Sequence, residues 1–336
     1  MKEPFFRYGG FLSAPFSVKC WSAMTKKKII FPFYHTVSVQ ALSYINPLYS
    51  PINKKDFEKQ VDFLLQHFKP ISVFDAYQYI INNENPKDPS FVISFDDGLS
   101  GVYENAFPIL KRKGVPAIVF LNTDFVDNTS LFYRFKTAMI LSAIENQPML
   151  NKPIYALLND LGYTGESLST ILLKIGYKQS KILDRLLPIC DINEETFLRE
   201  EKPYLTVQQI NEMSKADVAF GSHGTNHAEF QSLSEAERWL QLEKSFDWIN
   251  IHCPQKLKLF AFPFTDSGIA KDFILQLHNS INLSFGGAGI NNDVTPFHIQ
   301  RIPMEKKYAK SASKMIKSEY LYYSIKYMLG KKYIKR

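Results

Sequence analysis

The 336-residue sequence predicts an α/β fold with a parallel sheet and a helical insertion, on three observations. Short apolar runs of strand length alternate with segments of helical period. A strand, a helix and a second strand follow one another between Phe91 and Leu121, a βαβ spacing that implies parallel pairing. From about Asp127 to Pro203 the alternation gives way to helical pattern alone, and then it resumes.

Residues 1–27 read as a peripheral, irregular arm that is aromatic and contains glycine. Lys28 to Thr36 reads as the first core strand, with a bulge expected at Pro32, which cannot donate to a ladder. Asn53 caps a helix whose apolar residues Phe57, Val61, Leu64, Leu65 and Phe68 recur every three or four positions. Pro70 ends it. A short strand at Ile71-Ser72-Val73 and a helix from about Asp75 to Asn82 follow. The strand Phe91–Phe95 leads to a helix from about Gly101 to Lys113, closed by Gly114, and then to the strand Pro116–Leu121. Inside the insertion the pattern marks helices at Leu131–Ile144, Asn151–Leu161, Ser167–Ile175 and Gln179–Leu187. Beyond it come a strand at Asp217–Gly221, a helix at Ser234–Asn250 opened by the capping box Ser234/Glu237, and a strand at Leu257–Phe262. A helix at Ile269–His278 and strands at Asn282–Phe285 and Phe297–Ile302 complete the core.

Hydrophobic residues make up 45% of the chain and aromatics 14%, enough for a large core and too much for a disordered chain. The net charge of +7 is concentrated: ten Lys and Arg fall between Lys306 and Arg336 against one acid, Glu319. The body is close to neutral, which argues against nucleic acid as a partner. Cys20, Cys190 and Cys253 are too widely spaced for a disulfide framework or a Cys-x-x-Cys metal site. The N-terminal apolar residues are interrupted by Glu3, Pro4, Arg7, Pro15 and Lys19 and form no secretory core segment. A reduced, cytoplasmic protein is the expectation.

The chemistry is carried by residues that follow strand ends, where parallel α/β folds place their active sites. Phe91-Val92-Ile93-Ser94-Phe95 runs into Asp96-Asp97-Gly98. Two adjacent carboxylates repel unless a cation or proton separates them. A later strand runs into Gly221-Ser222-His223-Gly224-Thr225-Asn226-His227. One carboxylate and two imidazoles form a common ligand set for a catalytic divalent metal with open positions. A third strand ends in Pro263-Phe264 and the loop Thr265–Gly268, and the first ends at His35.

These segments resemble the polysaccharide deacetylases of carbohydrate esterase family four, the NodB homology domain, from about Lys28 to Pro303. The resemblance implies a distorted (β/α) barrel of the NodB-like deacetylase type with a helical insertion at about 127–203. It implies Asp96 as general base, Asp97, His223 and His227 as metal ligands, and the Phe264 N–H as an oxyanion donor. Phe33-Tyr34-His35 opens the core as in the circularly permuted branch, which makes His35 the general acid and His298 the weaker candidate. The family's third-motif Arg is missing from Lys258-Leu259-Phe260-Ala261-Phe262; Arg301, at the end of another strand, is the residue available to orient Asp96. The Asp-Trp fourth motif is also absent. The implied cofactor is Zn²⁺, with Co²⁺, Ni²⁺ or Fe²⁺ compatible with the same ligands. The implied substrate is an N-acetylated sugar in a polysaccharide, an oligosaccharide or a lipid-linked glycan. The rival readings are a deformylase or O-acetyl esterase on a related glycolipid, and a non-catalytic glycan- or lipid-binding module on the same fold.

Other residues have plainer readings. His67, His252 and His278 read as surface groups, Trp239 and Trp248 as core, and Asp124 as a cleft residue or a cap. The run Gly286-Gly287-Ala288-Gly289 lacks the Lys-Ser/Thr of a phosphate loop and reads as a turn. From 306 to 336, Met315, Ile316, Tyr320, Tyr323, Tyr327 and Ile334 interleave with lysines. Such a tail suits either a terminal helix packed on the barrel or an amphipathic helix lying on the inner membrane face.

Overall fold

Eight parallel strand segments form one sheet in the computed structural model, which describes residues 16–305, 311–331 and 333–336. They are β1 (Pro32–Tyr34), β2 (Ile93–Phe95), β3 (Ala117–Leu121), β4 (Val218–Ser222), β5 (Leu259–Ala261), β6 (Leu283–Gly286), β7 (His298–Gln300) and β8 (Ile302–Pro303), in the spatial order β7-β6-β5-β4-β3-β2-β1-β8. Only Arg301 separates β7 from β8. Gln300 is in register with Gly286 of β6, and Ile302 with Pro32 of β1. One stretch of chain therefore changes partner across a single residue and closes the sheet into a barrel.

The strands are mostly apolar, as strands covered on both faces must be, with Ser94, Ser222, Ser284, His298 and Gln300 as the polar exceptions. Ile118 and Phe120 of β3 share a cluster with Leu259, Ala261, Leu283, Phe285 and Ile299, which fills the barrel. Val119 and Leu121, on the other face, pack under the surrounding helices. A second cluster unites the insertion with the loop 36–53: Phe132, Phe135, Ile140, Leu172 and Leu186 pack with Tyr44 and Ile45. It sits beside the loops that follow β2, β3 and β4, and it walls the site on that side.

The structure departs from the sequence reading at several places. The described part of the N-terminal arm holds a helix, Val18–Thr25, capped by the Ser17 side chain; residues 1–15 lie outside the described residues. At Pro32 the ladder breaks at Phe31, separating Ile29–Ile30 from β1. No strand forms at Ile71-Ser72-Val73. The pairing residues are Lys69–Pro70, and Ser72 instead caps the helix Val73–Ile81 through a capping box with Asp75. The helix after Asp96-Asp97 opens in a wide π turn, Val102–Ala106, before the α-helix Phe107–Lys113. The insertion carries a further helix, Glu194–Glu201, which hides from periodicity because only Leu198 in it is buried. Trp239 and Trp248 are half-buried, at the margin of the core.

In the tail, the helix Ala312–Met328 buries Met315, Ile316, Tyr320 and Tyr323 against the helices Val18–Thr25 and Lys54–His67. Tyr320 donates from its hydroxyl to the Lys27 carbonyl at 2.9 Å. This is the packed alternative: four of the residues that would have faced a membrane are already covered. Lys306, Lys307, Lys310 and Lys332 lie outside the described residues. Among the described residues, no helix is long and apolar enough to cross a membrane.

Candidate active site

Asp96 and Asp97 leave the end of β2 buried, at 3% and 6% exposure. Asp97 takes a left-handed backbone, φ 73°, which turns its carboxylate away from that of Asp96 and toward the loop after β4. There His223 Nδ1–H donates to the Ala261 carbonyl at 2.8 Å. That bond fixes the tautomer and leaves the Nε2 lone pair free. The Nε2 atoms of His223 and His227 lie 3.4 and 3.0 Å from Asp97 Oδ1, and this oxygen is buried without a hydrogen-bond donor. Three electron-pair donors thus converge on one point. Burial opposes charge on Asp97, but the two imidazoles hold its carboxyl well below the usual range. Burial also lowers the His227 pKa, which favours the neutral, ligating form. This donor set fits a small divalent cation.

Asp96 faces inward and meets Arg301. The guanidinium donates from Nη1 to Oδ1 at 2.6 Å and from Nη2 to Oδ2 at 2.7 Å, a two-pronged bond, and Nη1 also reaches Ser94 Oγ at 3.2 Å. The guanidinium lies over the Phe33 ring, 4.3 Å from its centroid. Burial pushes the Asp96 pKa up, but Arg301, with His223 and His35, outweighs it and the carboxyl stays below its ordinary value. Arg301 thus holds the carboxylate that the missing third-motif Arg was expected to hold.

His35 stands at the end of β1 on the same rim. Its backbone N–H and its Nδ1–H both donate to Glu305 Oε2, at 2.8 and 2.6 Å. Burial works against the charged imidazole, yet Glu305, with Asp97 and Asp96, raises its pKa to about 9. Phe264 completes the rim. Its backbone is left-handed, φ 57°, its ring packs on His227 at 4.5 Å, and its N–H makes no hydrogen bond among the described residues. Asp97, His227 and Phe264 all hold uncommon positive φ, a clustering of backbone strain that marks a functional site.

The sequence model for polysaccharide deacetylases matches residues 83–284, more than half the chain. The chain belongs to the polysaccharide deacetylase family. Among curated relatives, the poly-β-1,6-N-acetyl-D-glucosamine N-deacetylase of Staphylococcus epidermidis is 32% identical over 80 residues, 24% of this chain and 27% of that protein. Its namesake from Staphylococcus aureus is 32% identical over 75 residues, 22% of this chain and 26% of that protein. The matched segment thus spans about a quarter of these relatives. Among solved structures, the Streptococcus pyogenes deacetylase PplD in complex with acetate superposes over 87% of this chain and 98% of that one, with a TM-score of 0.57 at 17% identity. IcaB from Ammonifex degensii covers 87% and 97%, with a TM-score of 0.52 at 16% identity. These likenesses establish the same barrel.

Within this family member, a second buried group lies outside the barrel wall. Alternate residues of one strand face opposite ways. Arg301 points in, while His298 and Gln300 point out to Asp266 and Asp293. His298 Nε2 is 3.0 Å from Asp266 Oδ2, and its Nδ1 is 2.6 Å from Ser284 Oγ. The Arg336 guanidinium occupies the centre, donating to Asp293 at 3.1 and 2.6 Å and to both the carboxylate and the backbone carbonyl of Asp266. His298 is therefore bound up in a structural ion cluster and does not share the rim with His35. Gly286 makes the cluster feasible: a Cβ there would come within 2.4 Å of Asp266 Oδ2. Asp124 is exposed. Its backbone N–H donates to the Thr225 carbonyl at 2.9 Å, and its own carbonyl accepts from the Thr129 and Ser130 hydroxyls.

Glu305 went unrecognised in the sequence, although it obeys the rule that found the others: it follows a strand end, that of β8. Its role gives a measurable consequence. A rate that needs protonated His35 is lost as pH rises through the His35 pKa. In Glu305→Gln the alkaline limb of the pH–rate profile is expected to move down from about 9 toward the ordinary 6.5. An unmoved limb would detach Glu305 from His35 or His35 from the reaction.

Proposed function

We propose that this chain is a divalent-metal hydrolase that removes the N-acetyl group from an amino sugar within an N-acetylated glycan. The observation that carries the reading is the convergence of His223 Nε2 and His227 Nε2 on a buried Asp97 oxygen that has no hydrogen-bond donor. Zn²⁺ suits the mixed imidazole and carboxylate set. The relatives' printed activity, N-deacetylation of a poly-N-acetylglucosamine, supports the choice of substrate class.

A metal at this point supplies Lewis acidity toward the acetyl carbonyl and lowers the pKa of a water molecule. Asp96, kept ionised by Arg301, accepts the proton of the attacking water as general base. The unpaired N–H of Phe264 donates to the oxygen on which negative charge develops. His35 is held by Glu305 through Nδ1, so Nε2 carries the proton that the leaving amine receives. An acid that precedes the base in the chain matches the permuted branch of the family. The pairing of Arg301 with Asp96 supports turnover over the reading as a non-catalytic module.

The test is acetate release from N-acetylglucosamine oligomers and lipid-linked N-acetyl sugars, with formyl and O-acetyl analogues alongside. Preference for an analogue would change the acyl group while keeping the mechanism. Asp96→Asn is expected to retain metal and lose about 10²- to 10⁴-fold in kcat, the usual worth of a positioned general base. Full activity in that variant would assign the base elsewhere.

A further inference from the structure

The proposed oxyanion donor, the Phe264 N–H, belongs to a strained turn. Thr265 N–H donates to the Pro263 carbonyl at 2.6 Å and closes a three-residue turn with Phe264 at its centre. With φ 57° at Phe264 this is the rarer, strained hand of that turn. Such strain persists only where the surroundings over-determine the backbone. Inside the loop the restraints are slight: Ile269 N–H reaches the Asp266 carbonyl at 3.3 Å, and Ser267 N–H the Thr265 hydroxyl at 3.0 Å. The firmer hold comes from outside. Two residues after Phe264, the buried Asp266 carboxylate accepts from His298 and Gln300 of β7, at 3.0 and 2.5 Å. Arg336 donates both to that carboxylate and to the Asp266 backbone carbonyl.

We propose that Arg336 is a positioning residue for the hydrolysis: it fixes the loop 263–268 through Asp266 and so sets where the Phe264 N–H points. The segment 333–336 follows the terminal helix and is tied to the loop before β7, where Ile334 N–H donates to the Asn292 carbonyl at 3.0 Å. The Arg336 side chain, 3% exposed, bridges Asp266 and Asp293. Among the described residues no other Lys or Arg pairs with either carboxylate. Without the guanidinium, two buried carboxylates lie close together and repel. A shift of Asp266 carries over two residues to the turn at Phe264, and a misplacement of about 1 Å in a catalytic site can cost on the order of 10²-fold. This rests on the deacetylase reading and adds to it a residue that acts on the reaction through another.

Arg336→Met keeps the apolar stem and removes the guanidinium. Assayed well below its thermal midpoint on an N-acetylglucosamine oligomer, it is expected to lose about 10- to 100-fold in kcat. KM and metal content should stay at wild-type values, because an oxyanion contact is made in the transition state and not in the ground state. Arg336→Lys, whose ammonium cannot reproduce the fork, should fall between, and it carries the test if Arg336→Met does not fold. Asp266→Ala should show the same split, and the double variant should lose no more than the worse single one. Wild-type kcat in Arg336→Met, a loss confined to KM or metal, or losses that multiply in the double variant would overturn the positioning role. If wild type releases no acetate from any sugar, the deacetylase reading fails instead. The geometry is then read by NMR on protein carrying isotope-labelled phenylalanine. The Phe264 amide signal, assigned by its absence in Phe264→Leu, should shift in Arg336→Met, and an unmoved signal overturns the proposal.

Discussion

Asp97→Ala is expected to release the metal and remove turnover with it. Asp97 supplies the only carboxylate oxygen among the three converging donors, at 3.0 and 3.4 Å from the two imidazole nitrogens. The remaining histidines keep their orientation, His223 through its bond to the Ala261 carbonyl, so the loss is one of ligand count and charge. Removing a hydrogen bond behind a metal ligand typically costs about 10- to 100-fold in affinity, and losing the ligand itself should cost more. Two measurements check this. Wild-type protein stripped by a chelator should rise in thermal midpoint when Zn²⁺ is added, because a ligand that binds only the folded state stabilises it by mass action. Asp97→Ala should show no such rise and no metal by elemental analysis. A variant that still binds one equivalent tightly would place the metal elsewhere and undo the proposed chemistry.

Arg301→Met should be the most damaging substitution to the fold among the site residues. It leaves the Asp96 carboxylate, 3% exposed, without its two-pronged partner. Breaking a buried ion pair from one side costs about 3–5 kcal/mol, because the surviving charge is uncompensated. With Arg301 gone, only His223 and His35 are left to oppose burial, and the Asp96 pKa rises. Activity requires the ionised base and is lost as pH falls through that pKa, so the acidic limb of the pH–rate profile should move to higher pH. Denaturant unfolding and the profile measure the two effects separately. Combining Arg301→Met with Asp96→Asn should recover part of the lost stability while leaving the enzyme inactive, since the orphaned charge is removed. A double variant no more stable than Arg301→Met would show that packing over Phe33, and not charge, is what Arg301 provides. Arg301→Lys should fall between, because an ammonium cannot reproduce the planar fork.

The residues that the sequence revealed share a property: each is local to a strand end. Asp96-Asp97 and His223…His227 lie in turns directly after apolar runs, so strand pattern and residue type were enough to place them on one rim. Arg301 was visible as a charge near the end of the strand Phe297–Ile302. Its reach to Asp96 depends on β8 pairing with β1 and β1 with β2, a closure that periodicity does not encode. Glu305 follows β8, a strand of two residues that is too short to show a period. The helices missed have physical explanations too. Glu194–Glu201 is charged nearly all round, and Val18–Thr25 was announced only by Ser17 as a cap.

Phe132 belongs to the insertion, yet its ring lies 4.4 Å from that of His227, and its N–H donates to the Tyr204 hydroxyl at 3.0 Å. The appended helices therefore supply the dry backing of an imidazole that the barrel itself presents. Exchanging them would strip the Phe132 ring from His227 and leave Phe264 and His223 as its ring neighbours. Evolution of the cleft's breadth and maintenance of its catalytic heart are, in this chain, a single problem.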